Sequence, residues 1–219
     1  MHRSGIEKRP EGHGRSVFDM NTTIDSLTLD VPDVDAARSF YAEAFDLGDR
    51  LRFRAADAPS SGFRGYTLSL VVAQPSTVDS LFKTALDAGA TAIKPAAKSF
   101  WGYGGSLQAP DGSIWKIASS SKKEVGPATR QVDDIVLLLG VEDVKATKQF
   151  YADKGLAVGK SFGSKYVEFD TAPVKLALYG RKALAKDAGV PVDGSGSHRI
   201  AISADAGEFI DPDGFSWGV

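Results

Sequence analysis

The chain says the same thing twice. Near its start it reads Asp33-Val34-Asp35-Ala36-Ala37-Arg38-Ser39-Phe40-Tyr41-Ala42, and later Asp143-Val144-Lys145-Ala146-Thr147-Lys148-Gln149-Phe150-Tyr151-Ala152. Each copy follows an apolar, strand-like run. Each leads on to a turn closed by tryptophan: Ala109-Pro110-Asp111-Gly112-Ser113-Ile114-Trp115 in the first and Asp211-Pro212-Asp213-Gly214-Phe215-Ser216-Trp217 in the second. A repeat of this length is one structural unit used twice. Two such units that pair their sheets leave a cleft between them, and clefts are where ligands bind.

Composition narrows the function classes. Of the 219 residues, 42% are hydrophobic and 25% charged, which is the balance of an ordinary globular chain. The net charge of -2, with no extended basic tract, argues against nucleic acid as a partner. No apolar run approaches the roughly 20 residues a membrane helix needs, so no membrane partner is expected. With no cysteine, disulfides, thiol nucleophiles and thiolate metal sites are excluded. A cytoplasmic location is the simplest reading. Residues 1–22 are polar and lack the apolar core of a signal peptide, so they read as a disordered tail or leader; His2 and His13 lie in it.

Two segments follow, 23–122 and 131–219, joined by a polar linker over 123–130 that contains Gly126-Pro127. In the first, apolar alternation over 24–31 predicts a strand. Asp33 is a plausible N-cap for a helix over 33–46, whose apolar positions Val34, Ala37, Tyr41 and Phe45 fall near helical spacing. A strand over 66–72, a helix over 76–88 ended by Gly89, the aromatic Gly-rich stretch Phe100 to Gly105 and a hairpin about the Pro-Asp-Gly turn complete it. The second segment opens with a strand over 135–139, and Gly140-Val141 reads as a two-residue insertion relative to the first. Asp143 caps its helix over 143–154. A meander (156–158, 166–169, 174–179), a short helix around 183–188 and a strand over 200–203 follow. No counterpart of the 76–88 helix is visible there.

A strand, a helix ending in Phe-Tyr, a meander and Pro-Asp-Gly-x-x-Trp together resemble the vicinal-oxygen-chelate superfamily, which includes glyoxalase I, extradiol dioxygenases and bleomycin-resistance proteins. The resemblance implies an α+β fold of two tandem βαβββ modules around a cupped sheet, here with one helix missing from the second. It also implies where a metal would sit. Metal-dependent members commonly use a His on the first strand of a module, a Glu just after the final Trp, and a second His on a later strand. The corresponding positions here read Ser26, Lys116, Asp134 and Gly218. His198 is the one histidine outside the tail, and Arg199 fits the later-strand position better. The expectation is therefore no bound metal and no cofactor, with a divalent metal held by Glu168, Asp134 and His198 as the alternative.

The ligand-binding candidates are Trp101 and Tyr103 for flat contacts, Tyr66 for a hydroxyl, Lys116 for positive charge and Glu168 for a carboxylate. The Gly102-Tyr103-Gly104-Gly105 stretch lacks the Gly-Lys-Ser/Thr ending of a phosphate loop, and no nucleophile-elbow sequence marks a catalytic serine. The reading is a glyoxalase- or bleomycin-resistance-like binding protein for a small organic molecule, planar or anionic, held in the cup of the first module. The alternatives are a metal-dependent lyase, isomerase or dioxygenase, and a degenerate module pair that serves as an interaction partner. Assembly as a homodimer stays open.

Overall fold

The computed structural model describes residues 22–100 and 102–218. Its elements fall into four consecutive units. The first is β1 (Thr22–Val31), α1 (Val34–Ala44), β2 (Leu51–Ala55) and β3 (Ser60–Gly62). The second is β4 (Tyr66–Val71), α2 (Pro75–Asp87), β5 (Thr91–Ser99), β6 (Gly102–Gln108) and β7 (Ile114–Ser119). The third is β8 (Asp134–Val141), α3 (Val144–Asp153), β9 (Val158–Phe162), β10 (Tyr166–Phe169) and β11 (Thr171–Gly180). After α4 (Arg181–Ala188) and β12 (Gly194–Gly196), the fourth is β13 (Ile200–Ala204), β14 (Phe209–Ile210) and β15 (Ser216–Trp217), with no helix between β13 and β15.

The repeated helices form for the reason the sequence gives. The Asp33 carboxylate accepts from the Ala36 N–H, and the Asp143 carboxylate from those of Lys145 and Ala146, so each occupies donors that a helix start leaves unpaired. Each helix then turns its tyrosine inward: Tyr41 and Tyr151 are 3% and 0% exposed.

The second and third units are the complete βαβββ modules. Their strands are ordered β4-β7-β6-β5 and β8-β11-β10-β9, and they join edge to edge through antiparallel β4 and β8, with Leu68 opposite Leu137. The first and fourth units join the same way, β1 running antiparallel to β13 with Leu27 opposite Ile202. A short parallel pairing of β1 with β11 (Thr22 to Thr171) links the two halves into one 13-stranded sheet. The cup expected within the first module is therefore made by the middle of the chain, half from each repeat. The outer units make a reduced second half.

Leu68, Leu70, Leu137, Leu139, Leu176 and Leu178 are fully buried on the face covered by α2 and α3. Residues between them in sequence point to the opposite, inner face. There α4 lies across the strands, with Leu184, Ala185 and Ala188 packed against Phe63 and Ile114 in a separate small core.

One expectation changes, and two features add to the reading. Gly140-Val141 is no insertion: β8 runs through it and ends two residues before the helix cap, as β1 does. Val136, not Asp134, is therefore the counterpart of Ser26. The two helical phenylalanines also differ, Phe40 being 5% exposed and Phe150 only partly buried. The cause is the absent helix: α1 packs on α2, whereas α3 has no such neighbour. Lastly, the linker is held down. The Gln74 side chain accepts from the N–H groups of Val125 and Gly126 and donates to the carbonyls of Gly126 and Pro127.

Candidate functional site

Register places four residues side by side on the inner face of the complete cup. Lys116 of β7 pairs with Ser69 of β4, Ser69 with Val136 of β8, and Val136 with Lys175 of β11. Lys116 follows the repeat's closing Trp and Val136 matches Ser26, so this row crosses the sheet at the positions that the resemblance noted above assigns to metal ligands. Two ammonium groups, a hydroxyl and an apolar side chain do not fit a divalent cation, which needs imidazole or carboxylate donors. The matching positions of the outer half, Ser26, Ser203 and Gly218, fit no better. Among the described residues no group of three or more His, Asp or Glu stands ready to hold a metal ion.

The acids and the histidine named for the metal alternative are each engaged elsewhere. Asp134 pairs with Lys175 at 2.8 Å. Glu168 accepts from the Tyr166 hydroxyl at 3.3 Å and lies 3.8 Å from Lys160. Burial, and then the Glu168 charge, push the Tyr166 hydroxyl up to about 12. His198 places one ring nitrogen 2.5 Å from the Arg64 carbonyl oxygen and the other 2.9 Å from that of Asp213, and its ring stacks on Phe215. Both ring nitrogens thus serve to tie two loops together.

Of the ligand-binding candidates, Lys116 and Tyr103 border one cleft, and Tyr66 and Glu168 stand apart from it. Lys116 and Glu168 share the inner face but stand on strands four apart, which is on the order of 15–20 Å at ordinary strand spacing. Tyr66 lies on the helix-covered face, edge-on to Phe215, with its hydroxyl fully enclosed and unpaired. Burial raises the Tyr66 hydroxyl well above its usual value. Tyr103 pairs in register with Ser119, three residues from Lys116 and so on the opposite face, and its hydroxyl donates to Asp79 of α2 at 2.7 Å. Trp101 lies outside the described residues.

A cleft of about 350 Å³ remains on the β5–β7 side of the cup, bordered by Lys94, Gly104, Ser106, Lys116, Ala118 and Asp187. It is predominantly cationic on the inner face. The Lys94 ammonium donates to the carbonyls of Lys186 (2.9 Å) and Asp187 (2.6 Å), the Ser106 hydroxyl donates to that of Ala188 (2.8 Å), and Lys116 is paired with the Asp187 carboxylate. The end of α4 therefore closes this cleft from one side. Reasoning from the sequence missed Lys94, Ser106 and Lys175. Trp115 and Ile117 as core residues mark Lys116 and Ala118 as inward-facing, but nothing local signals which strands lie beside them.

No protein-family model and no curated protein sequence matches the chain. Solved structures do. Glyoxalase I from Zea mays covers 90% of this chain and 91% of its own with a TM-score of 0.56 at 13% identity. The V278E mutant of that maize protein gives 0.57 at 14% identity, with coverages of 90% and 91%. A glyoxalase/bleomycin resistance protein/dioxygenase family enzyme from Burkholderia phytofirmans PsJN matches 45% of this chain and 98% of its own, with a TM-score of 0.40 at 21% identity. The chain has the vicinal-oxygen-chelate superfamily fold, an α+β architecture of tandem βαβββ modules. Within it, the two maize structures match nearly the whole chain, so both repeats take part in the likeness.

Proposed function

We propose that this protein binds a small organic anion in the cup between its second and third units, without a metal. One observation carries the reading: the row Lys116, Ser69, Val136, Lys175 puts two lysines, one paired with Asp187 and one with Asp134, and no metal ligand across the floor of the cup. An ammonium held in a partly enclosed site makes charge-assisted hydrogen bonds to oxyanions and repels a second cation. Ser69 adds a hydroxyl between the lysines. The alternative of a metal-dependent lyase, isomerase or dioxygenase finds no support in the placement of Glu168, Asp134 and His198.

The test is metal analysis of the purified chain after dialysis against a chelator, alongside thermal melting with organic anions and cations of matched shape. A ligand at a hundredfold its Kd stabilises by roughly 2.7 kcal/mol, enough to shift the melting temperature by several degrees. Stabilisation by anions alone, reduced in Lys116→Gln, supports the reading. Stoichiometric Zn, Ni, Mn or Fe that survives dialysis overturns it.

A further inference from the structure

The cup already contains something with the chemistry of an anion. At its C-terminus α4 turns the carbonyls of Lys186, Asp187 and Ala188 and the Asp187 carboxylate toward Lys94, Ser106 and Lys116. A helix C-terminus carries partial negative charge, so this end is an oxyanion surrogate. Behind it, Leu184, Ala185 and Ala188 supply an apolar body against Ile114, with Leu138 and Tyr179 at the edge of the same cluster.

We infer that α4 is an internal stand-in for the ligand, and that the ligand is an organic carboxylate with an apolar body that displaces it. This rests on the binding function proposed above. Two further observations support it. Thr67, the register partner of Leu138 on the inner face, is fully buried with its hydroxyl unpaired. A ligand bearing an acceptor would satisfy that hydroxyl, and α4 does not. Furthermore, α4 has only eight residues and buries three small or medium apolar side chains. It is bounded by Gly180 and by Gly189, whose φ of 88° is the left-handed conformation that glycine adopts without strain. Its C-terminal end is held by the polar contacts to Lys94, Ser106 and Lys116, its middle by the small apolar core around Phe63 and Ile114, and its start by Arg181, which donates to the Phe63 carbonyl; a single short helix of this kind opens at lower cost than the main sheet beneath it.

The experiment uses the full chain with 2-naphthoate as probe and 2-naphthylmethylammonium as the cation of like shape. Amide exchange is followed in α4 and, as a reference, at Leu137 and Leu176. The expected result is that naphthoate binds, speeds exchange across 182–190 at least tenfold and leaves the reference amides unchanged, while the cation does neither. Asp187→Asn, which weakens the stand-in without altering the lysines, should raise naphthoate affinity about fivefold. Asp187→Lys, which sets a cation against Lys116, should leave α4 exchanging fast without any probe. If naphthoate binds while α4 keeps or gains protection, the stand-in is wrong and the binding function survives. If α4 is released in Asp187→Lys and naphthoate still fails to bind, the binding function fails, and this inference with it. If α4 stays protected in Asp187→Lys, it is a fixed structural helix and the inference is overturned.

Discussion

Tyr151 donates its hydroxyl to the buried carboxylate of Asp211. Its counterpart Tyr41 reaches Asp111 instead, at 3.1 Å. The two acids are not equivalent. Matching turn hydrogen bonds, Ala109 N–H to the Ser113 carbonyl and Asp211 N–H to that of Phe215, align Asp211 with Ala109. The repeat has thus kept the tyrosine, the tryptophan that donates to it and the link from helix to turn, while moving the carboxylate by two residues.

That difference makes the two tyrosines unequal in energy. In the first repeat Ser113 is a second partner: its hydroxyl donates to Asp111 and lies 3.1 Å from the Trp115 ring N–H. Phe215 stands in its place in the second. Tyr41→Phe should therefore cost under about 1 kcal/mol. Tyr151→Phe should cost about 1–3 kcal/mol, because it leaves one oxygen of the buried Asp211 carboxylate and the Trp217 indole N–H without a partner, while the other oxygen keeps the N–H groups of Asp213 and Phe215. Urea unfolding of the two variants checks the order.

The same site gives a pH dependence. Burial raises the Asp211 carboxyl above its usual value, against the lowering effect of the Tyr151 hydrogen bond. The folded state thus holds this proton more tightly than the unfolded chain does. The resulting stability is fully present below the unfolded value near 4 and is lost as pH rises through the folded value. Asp211→Asn has no such loss. Its stability relative to the parent should rise from pH 4 upward and level off once the parent's carboxyl is ionised, as measured by urea midpoints at several pH values.

Phe40→Ala should cost about 3–5 kcal/mol, as expected for an enclosed aromatic. Phe150→Ala should cost about half as much, since its ring is partly solvated beneath Lys154. Equal losses in thermal or urea unfolding would mean that the missing helix over α3 has no energetic consequence.

Gln74→Ala removes the four hydrogen bonds that hold residues 125–127 to the start of α2. Amide exchange at Val125 and Gly126 should accelerate at least tenfold, while amides of β4 and β8 change little. The linker would then be mobile in the variant and ordered in the parent.

The local features were legible along the chain because their causes are local. A carboxylate three residues before a helical N–H caps it, apolar spacing buries one face, and Pro-Asp-Gly turns a strand back on itself. Hence the helices over 34–44 and 144–153, the two turns and the tandem α+β plan follow from the residues alone. The candidate site was legible only in part. Lys116 was found because it follows a repeated Trp, whereas Tyr103, three residues away across a strand pair, falls on the other face. In a sheet, facing depends on register, and one residue of slip reverses it. Register between β4 and β8, or β1 and β13, depends on contacts between segments far apart in sequence. So does the seat of α4, whose residues, half of them charged, show a short helix but not the surface it covers. The chain determined its units by itself. Which units share a cup, and what already fills it, were decided only when the edges of distant strands met.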